Sequence, residues 1–205
     1  MVIKAKEKKE RALGVKLFLK AQRCSSPKCA MVRRPYRPGM HGKKRQRAIS
    51  EYGQQLMEKQ RIRYTYGLKE AQMENVFKYA LKKKGSLSEA IIALLERRLD
   101  NVVFRLGFAP SRIMARQFVS HGHILVNKRK VNVPSFLVKA GDVVSVKPTS
   151  LSSLIFKELS NTIKKYQAPD WLVIDPVKIE GRVNSLPTAV EMPFDINLVV
   201  DYYSK

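Results

Sequence analysis

Charge limits what this chain can fold into before any pattern is considered. Forty lysines and arginines face seventeen acids, a net of +23 on 205 residues. Self-repulsion of that size opposes a compact state unless a polyanion neutralises it, and nucleic acid is the usual polyanion. The charge is also uneven. Residues 1–50 hold 16 Lys/Arg against 2 acids, residues 51–150 hold 18 against 8, and residues 151–205 hold 6 against 7. The first three-quarters are therefore expected to meet phosphate, and the neutral last quarter to pack on protein. A hydrophobic fraction of 44% is that of ordinary globular proteins, so folding is expected in one large domain or two small ones.

No run approaches the ~18 consecutive apolar residues of a membrane-spanning helix. The opening stretch MVIKAKEKKERALG lacks the apolar core of a secretory signal. Two cysteines without such a signal fit a reducing compartment. The expected location is cytoplasmic, with an organelle interior as the alternative.

Residues 1–50 read as a basic arm. Within it Arg33–Arg47 (RRPYRPGMHGKKRQR) carries no helical or strand period and too little apolar surface to fold alone. Helices are predicted from Tyr52 to Arg63 and from Lys69 to Lys84. In the second, Met73, Val76, Phe77, Ala80 and Leu81 share one face, and Gly85 supplies the stop. Ser86-Leu87-Ser88-Glu89 reads as a capping box for a helix that buries Leu87, Ile91, Leu94, Leu95 and Leu99.

From Ser111 the texture changes. Ser111 caps a short helix carrying Ile113, Met114, Phe118 and Val119 and closed by Gly122. Ile124–Val126, a polar turn Asn127–Lys130 and Val131–Val133 predict a hairpin, and Gly141-Asp142 a turn before the strand Val143–Val146. Beyond Ser150 the prediction is a helix over Ser150–Gln167 and strands at Trp171–Ile174 and Ile196–Tyr203. Prolines 169, 176, 187 and 193 are expected to keep the stretch between irregular.

On the short helix Arg112 and Arg116 stand one turn apart, on a face distinct from Phe118 and Val119. His121, Lys128, Arg129 and Lys130 lie at the adjoining turn and hairpin tip. Together they build a basic ledge suited to phosphates along an RNA backbone. Replacing Arg112 and Arg116 by alanine is expected to remove most RNA affinity and spare the fold.

These residues carry a resemblance. Ser111–Arg116 (SRIMAR), Gly122–Asn127 (GHILVN), Pro134-Ser135 and Gly141-Asp142 follow in order the pattern S/T-R-x-x-A-R, G-x-I-x-V-N, P-S, G-D of the alpha-L, or S-four, RNA-binding module. That module is shared by ribosomal proteins, pseudouridine synthases, tyrosyl-tRNA synthetases and a heat-shock RNA binder, so it does not choose the parent. The flanks do. Pro38–Gly42 (PGMHG), Ser50–Gly53 (SEYG), Glu58-Lys59-Gln60 with Tyr66-Gly67, Leu94–Gly107 (LLERRLDNVVFRLG), Trp171-Leu172 and Tyr203–Lys205 resemble the S-four family of small-subunit ribosomal proteins. The likeness runs from about residue 14 to residue 205.

The resemblance implies an α+β fold: a helical N-terminal domain plus a small helix-and-antiparallel-sheet alpha-L module. The expected division is a basic arm over 1–50, a helical domain over 51–92, the RNA-binding domain over 93–150 and a C-terminal extension over 151–205 packed on the others. It also implies binding to 16S rRNA at the five-prime domain, contact with ribosomal protein S-five, and, with S-five and S-twelve, influence on translational accuracy. Arg61, Arg63, Arg97 and Arg98 join the ledge residues as rRNA-binding candidates. Lys43, Lys44, Arg45 and Arg47 match positions lining the channel through which mRNA enters, and are candidates for mRNA entry or rRNA binding.

Some family members hold zinc with four cysteines in two pairs. Here only the second pair is present, Cys24 and Cys29, and Glu7 and Glu10 stand near the place of the first. Closed zinc sites use four N or S ligands, and with His41 a third at most, no cofactor is expected. Nor is an enzyme expected. Arg98-Leu99-Asp100 mimics the R-L-D of pseudouridine synthases, but no catalytic domain follows it. His121 and His123 lack a partnering carboxylate or nucleophile, and no nucleotide-binding glycine motif or serine elbow is present. No membrane or small-molecule substrate is expected.

Overall fold

The computed structural model describes residues 6–44, 48–153, 155, 156, 159, 163, 166–187 and 192–204. The chain forms two compact units, Met1–Ile91 with Glu191–Lys205, and Ile92–Val190. It is a mixed α+β protein, helical in the first unit and built on a small antiparallel sheet in the second.

In the first unit α1 (Lys6–Leu13), α2 (Gln22–Ser25) and α3 (Ala30–Arg33) occupy the stretch read from sequence as a basic arm. Its small core is Leu13, Leu17, Leu19, Cys24 and Cys29, all buried. The organising group is Glu10, itself 1% exposed. One carboxylate oxygen accepts from the Leu17 and Leu19 amides at 3.1 Å, and the Cys24 thiol lies 3.8 Å from both oxygens. A buried charge is tolerated only when saturated with such donors. Arg11 ties down the chain beyond α3: its Nε donates to the Arg34 and Tyr36 carbonyls, its Nη2 to that of Arg37, and it stacks on the Tyr36 ring. Residues 34–44 then run without helix or strand, as their proline and glycine content predicts.

Ser50 caps α4 (Glu51–Thr65) by accepting from the Gly53 amide, and α5 (Glu70–Leu81) closes before Gly85 at φ +107. α6 (Leu87–Glu96) starts where the Ser86 hydroxyl meets the Glu89 amide. Ile196–Tyr203, expected as a strand, is instead helical, Ile196–Ser204. Its nearly continuous apolar run satisfies either period. The helix is selected because Ile196, Val199 and Tyr203 then share a face toward α4 and α5, with Ile196 and Val199 buried and Phe77 4.8 Å from the Tyr203 ring.

The seal around that face is polar. Lys59, with 5% of its side chain exposed, donates to Glu70 at 2.7 Å and lies 4.1 Å from the Tyr202 ring centre, while the Tyr203 hydroxyl donates to Glu70. Burial alone would raise the Glu70 carboxyl, but the Lys59 ammonium outweighs it and holds the group below its ordinary 4.5. Burial alone would lower the Lys59 ammonium, but Glu70 and Tyr202 outweigh it and raise it above 10.5, and burial with Glu70 raises the Tyr203 hydroxyl. The Glu70 contribution is thus present above the ordinary carboxylate value and lost as pH falls through it. The Lys59 and Tyr203 contributions are present at neutral pH and lost under alkaline conditions. The urea midpoint of the helical unit is therefore expected to be flat from about pH 5 to about pH 9 and to fall on either side. Glu70→Gln should flatten the acid limb in pH-stepped unfolding followed by circular dichroism.

The second unit packs α7 (Leu99–Arg105) and α8 (Arg112–Ser120) on a sheet of β1 (Ile124–Val126), β2 (Arg129–Lys130), β3 (Val143–Val146), β4 (Leu172–Asp175) and β5 (Glu180–Val183), in the order β2-β1-β3-β5-β4 and antiparallel throughout. α9 (Pro148–Leu151) follows β3. The core takes Leu99, Val102, Val103 and Leu106 from α7, and Ala115, Phe118 and Val119 from α8. The sheet adds Ile124, Val126, Val144, Val146, Leu172 and Val183. β1 alternates as a one-sided strand should, whereas Val144, Ser145 and Val146 of the central strand β3 are all buried.

The expected helix over Ser150–Gln167 lies in part outside the described residues. Within 176–187, expected to be irregular, Glu180–Val183 forms β5 between β3 and β4, with Ser145 opposite Glu180 and Asp175 opposite Glu180 on the other side. Gly181 sits there because a side chain at that position would overlap Leu106.

Candidate nucleic-acid interface

The site is assembled by turn chemistry. The Ser111 hydroxyl accepts from the Met114 amide and starts α8, and Gly122 at φ +75 ends it. The chain re-enters as β1 and turns back into β2, with Val126 opposite Arg129. The turn is shorter than predicted. Only Asn127 and Lys128 form it, at φ +50 and +64, and Arg129 and Lys130 already belong to β2, while Val131–Val133 carries no strand. Two positive φ values are what a two-residue hairpin loop requires. Asn127 fixes the loop to the preceding turn of β3: its Nδ2 donates to Asp142 at 2.8 Å and its Oδ1 accepts from the Val143 amide at 2.9 Å. The Asn of G-x-I-x-V-N and the Asp of G-D thus meet directly.

Asn tolerates the left-handed region, but for lysine it costs on the order of 1 kcal/mol. Lys128→Gly is therefore expected to stabilise the second unit by about that amount in urea unfolding, while weakening RNA binding by removing a cation. A variant gaining stability with unchanged affinity would remove Lys128 from the interface.

Beneath the ledge lies a buried polar network from the run Glu96–Asn101. Glu96, fully buried, accepts from the Asn101 amide at 2.9 Å and from Arg105 Nε and Nη2 at 2.9 and 3.0 Å. Arg98 donates to Asp100 through two nitrogens at 3.1 and 2.9 Å, both side chains buried. Arg116 Nη1 lies 3.4 Å from the same carboxylate, and Arg112 Nε donates to Asn101 at 2.7 Å with its guanidinium over the Phe104 ring. The Asp of the R-L-D stretch is accordingly a structural, arginine-bridged carboxylate.

This arrangement sorts the predicted cations. Lys128, Arg129 and Lys130 are exposed, and none of the ion pairs of the described residues engages them. His121 is exposed at the end of α8. Arg112 and Arg116 are partly buried, each with one edge held by the network. Replacing both by alanine would remove one donor each from Asn101 and Asp100, which keep Glu96 and Arg98, so that variant tests the network as well as the RNA surface. Arg97 is partly buried and donates to the Val138 carbonyl.

Arg98 is a correction: at 4% exposure and bidentate on Asp100, it has no surface to offer RNA. In the first unit Arg61 is drawn to Glu58 and the Leu13 carbonyl, and Arg63 to Glu70 and the Tyr64 hydroxyl, so both serve packing around α4. Lys43 and Lys44 are exposed, whereas Arg45 and Arg47 lie outside the described residues. Arg23, Lys28 and Arg33 were not singled out from sequence, because their convergence depends on a folded arm that composition conceals.

The cysteines do not suit zinc. Cys24 and Cys29 are buried free thiols, burial holds the Cys24 thiol above its ordinary value, and Glu10 spends one carboxylate oxygen on two backbone amides. Among the described residues no group of three or more His, Cys, Asp and Glu side chains could hold a metal. Nor, among them, is any helix long and apolar enough to cross a membrane.

Two helices on an antiparallel sheet, with a hairpin tip whose three cations enter none of the ion pairs of the described residues, define the second unit as an RNA-binding module of the S4 class. Residues 97–144 match the family described as S4 domain, and residues 2–96 the Ribosomal protein S4/S9 N-terminal domain. Over 194 residues the chain is 50% identical to "Small ribosomal subunit protein uS4" of Caldicellulosiruptor bescii and 50% identical to that of Halothermothrix orenii, in each case 94% of this chain and 93% of the relative. It is 46% identical to that of Thermus thermophilus over the same shares. The chain belongs to the bacterial-type uS4 family of small-subunit ribosomal proteins, a family of structural proteins and not of enzymes.

Proposed function

We propose that this chain is a structural rRNA-binding protein, ribosome-bound in the cytoplasm, that engages the five-prime domain of 16S rRNA and nucleates assembly of the small-subunit body. The observation carrying this reading is the hairpin tip: three consecutive exposed cations, Lys128, Arg129 and Lys130, on a loop fixed by Asn127 and Asp142. Base edges in the deep groove of A-form RNA are out of reach of side chains, so recognition proceeds through shape and backbone. Fixed cations suit that task, because less side-chain and loop ordering is lost on binding.

In the assembled subunit the protein contacts S-five and, with S-five and S-twelve, tunes translational accuracy. Lys43, Lys44, Arg45 and Arg47 serve mRNA entry or rRNA binding; the exposure of the two lysines beyond Pro38–Gly42 supports this role. In gel shifts at one salt concentration, a five-prime-domain transcript should bind at least about tenfold more tightly than a three-prime-domain transcript of equal length. Equal affinity would reduce the protein to a non-specific polycation and refute the reading.

A further inference from the structure

Asp100 accepts from two arginines at once. Arg98 grips it from within: Nε lies 3.1 Å from Oδ1 and Nη2 2.9 Å from Oδ2, and both residues are 4% exposed. From the outer side Arg116 Nη1 donates to Oδ2 at 3.4 Å, and the Arg116 side chain is still 23% exposed. The backbone that carries the carboxylate is pinned as well. The Asp100 amide donates to the Pro134 carbonyl at 3.2 Å, the Leu99 amide donates to that of Phe136 at 2.8 Å, and Arg98 pairs with Leu137. Asp100 thus has a fixed place in the first turn of α7, and its Oδ2 is a fixed acceptor for the second arginine of α8.

We infer that Asp100 is a positioning residue for RNA binding and acts through Arg116. A buried ion pair is often no more stabilising than apolar side chains of the same size, so stability alone gives little reason to bury Arg98 and Asp100. The pair reaches the surface through Arg116. A long arginine loses rotamer freedom when it settles on a phosphate, and one whose guanidinium is already anchored loses less. The planar guanidinium also divides its donors: one nitrogen can hold Asp100 while another meets a phosphate, whereas a lysine offers a single nitrogen. Two arginines against one carboxylate leave a net charge of +1, and Arg116 is the exposed member. The role rests on the RNA-binding function proposed above.

The test uses the full chain, a 16S five-prime-domain transcript and gel shifts at one salt concentration. Arg98→Met with Asp100→Leu replaces the buried pair by apolar side chains and leaves the net charge at +23. With circular dichroism and Trp171 emission unchanged, it should bind about tenfold less tightly than the native chain. Arg116→Gln should also cost about tenfold in the native chain, but less than about threefold when added to the pair variant, where Arg116 has already lost its anchor. A purely structural Asp100 would alter the folded fraction and leave no such coupling. The same cost of Arg116→Gln in both backgrounds therefore overturns the inference, as does native affinity in the pair variant.

If the pair variant fails to fold, Arg116→Lys in the otherwise native chain decides. It keeps the charge and gives up the planar fork, so it should bind as weakly as Arg116→Gln. Native affinity in Arg116→Lys overturns the inference in favour of charge alone. Failure of the proposed function shows itself separately. A native chain that binds five-prime-domain and three-prime-domain transcripts equally refutes that function. A native chain that prefers the five-prime domain, beside an Arg116→Gln affinity within about twofold of native, leaves the function standing and overturns the role of Asp100.

Discussion

Replacing Lys128, Arg129 and Lys130 together by glutamate should weaken binding to a 16S five-prime-domain transcript about a hundredfold near physiological salt. It should also flatten the dependence of log K on log salt by about three. The three side chains are exposed and lie in the hairpin turn (Lys128) and the short edge strand β2 (Arg129 and Lys130), so the core of α7, α8, β1 and β3 keeps its contacts. Circular dichroism and the Trp171 emission should match the native chain, since Trp171 is the sole tryptophan and is buried in this unit. An affinity within twofold of native would place the RNA surface elsewhere. This substitution is a cleaner probe than removing Arg112 and Arg116, whose guanidinium groups also support Asn101 and Asp100.

The second large effect falls on stability. Glu96 has a fully buried side chain and bridges Asn101 to Nε and Nη2 of Arg105. Deleting the buried partner of this pair removes a carboxylate from Arg105, still 23% exposed, and an acceptor from the buried Asn101, at about 3 kcal/mol, the low end for a buried pair. Against a typical total of about 5–15 kcal/mol, Glu96→Ala should bring the second unit close to unfolding at 37 °C. Urea unfolding followed through Trp171 checks this, and a loss below about 1 kcal/mol would mean the network contributes little. RNA affinity should fall only as far as the folded fraction falls. Glu96 supports the platform and does not touch the ligand.

How much could be read in advance depended on whether the deciding contact was local. α5, α6, α8 and β3 were legible because each carries its own period and its own stop: Gly85, the Ser86 cap, Ser111 with Gly122, and the Gly141-Asp142 turn. α10 (Ile196–Ser204) was not. Its apolar run fits two periods, and the contact with Lys59, Glu70 and Phe77 that selects the helix lies more than 100 residues away in sequence. β5 was hidden by Glu180, Gly181 and Arg182, poor strand formers placed by pairing on both edges. The arm was hidden because its centre is a buried carboxylate, and Glu10 reads in sequence as one more surface charge.

The site divides in the same way. The exposed cations at Lys128–Lys130 lie together in sequence and could be found there. Charge alone could not separate them from Arg98, Arg61 and Arg63, which look identical in composition but spend their donors on Asp100, Glu58 and Glu70. The motif residues Asn127 and Asp142 were legible as a pattern, yet the physical reason for their spacing, one side-chain bridge between two turns, emerges only in the fold.

The most direct measurement is the equilibrium affinity of the native chain for a 16S five-prime-domain transcript at several salt concentrations between 50 and 200 mM, conditions chosen to span counterion release. If backbone phosphates are read by the ledge cations, log K should fall linearly with log salt at a slope of about −4 or steeper. A slope shallower than about −1, with tight binding retained, would contradict recognition through phosphate and require base or apolar contacts in its place.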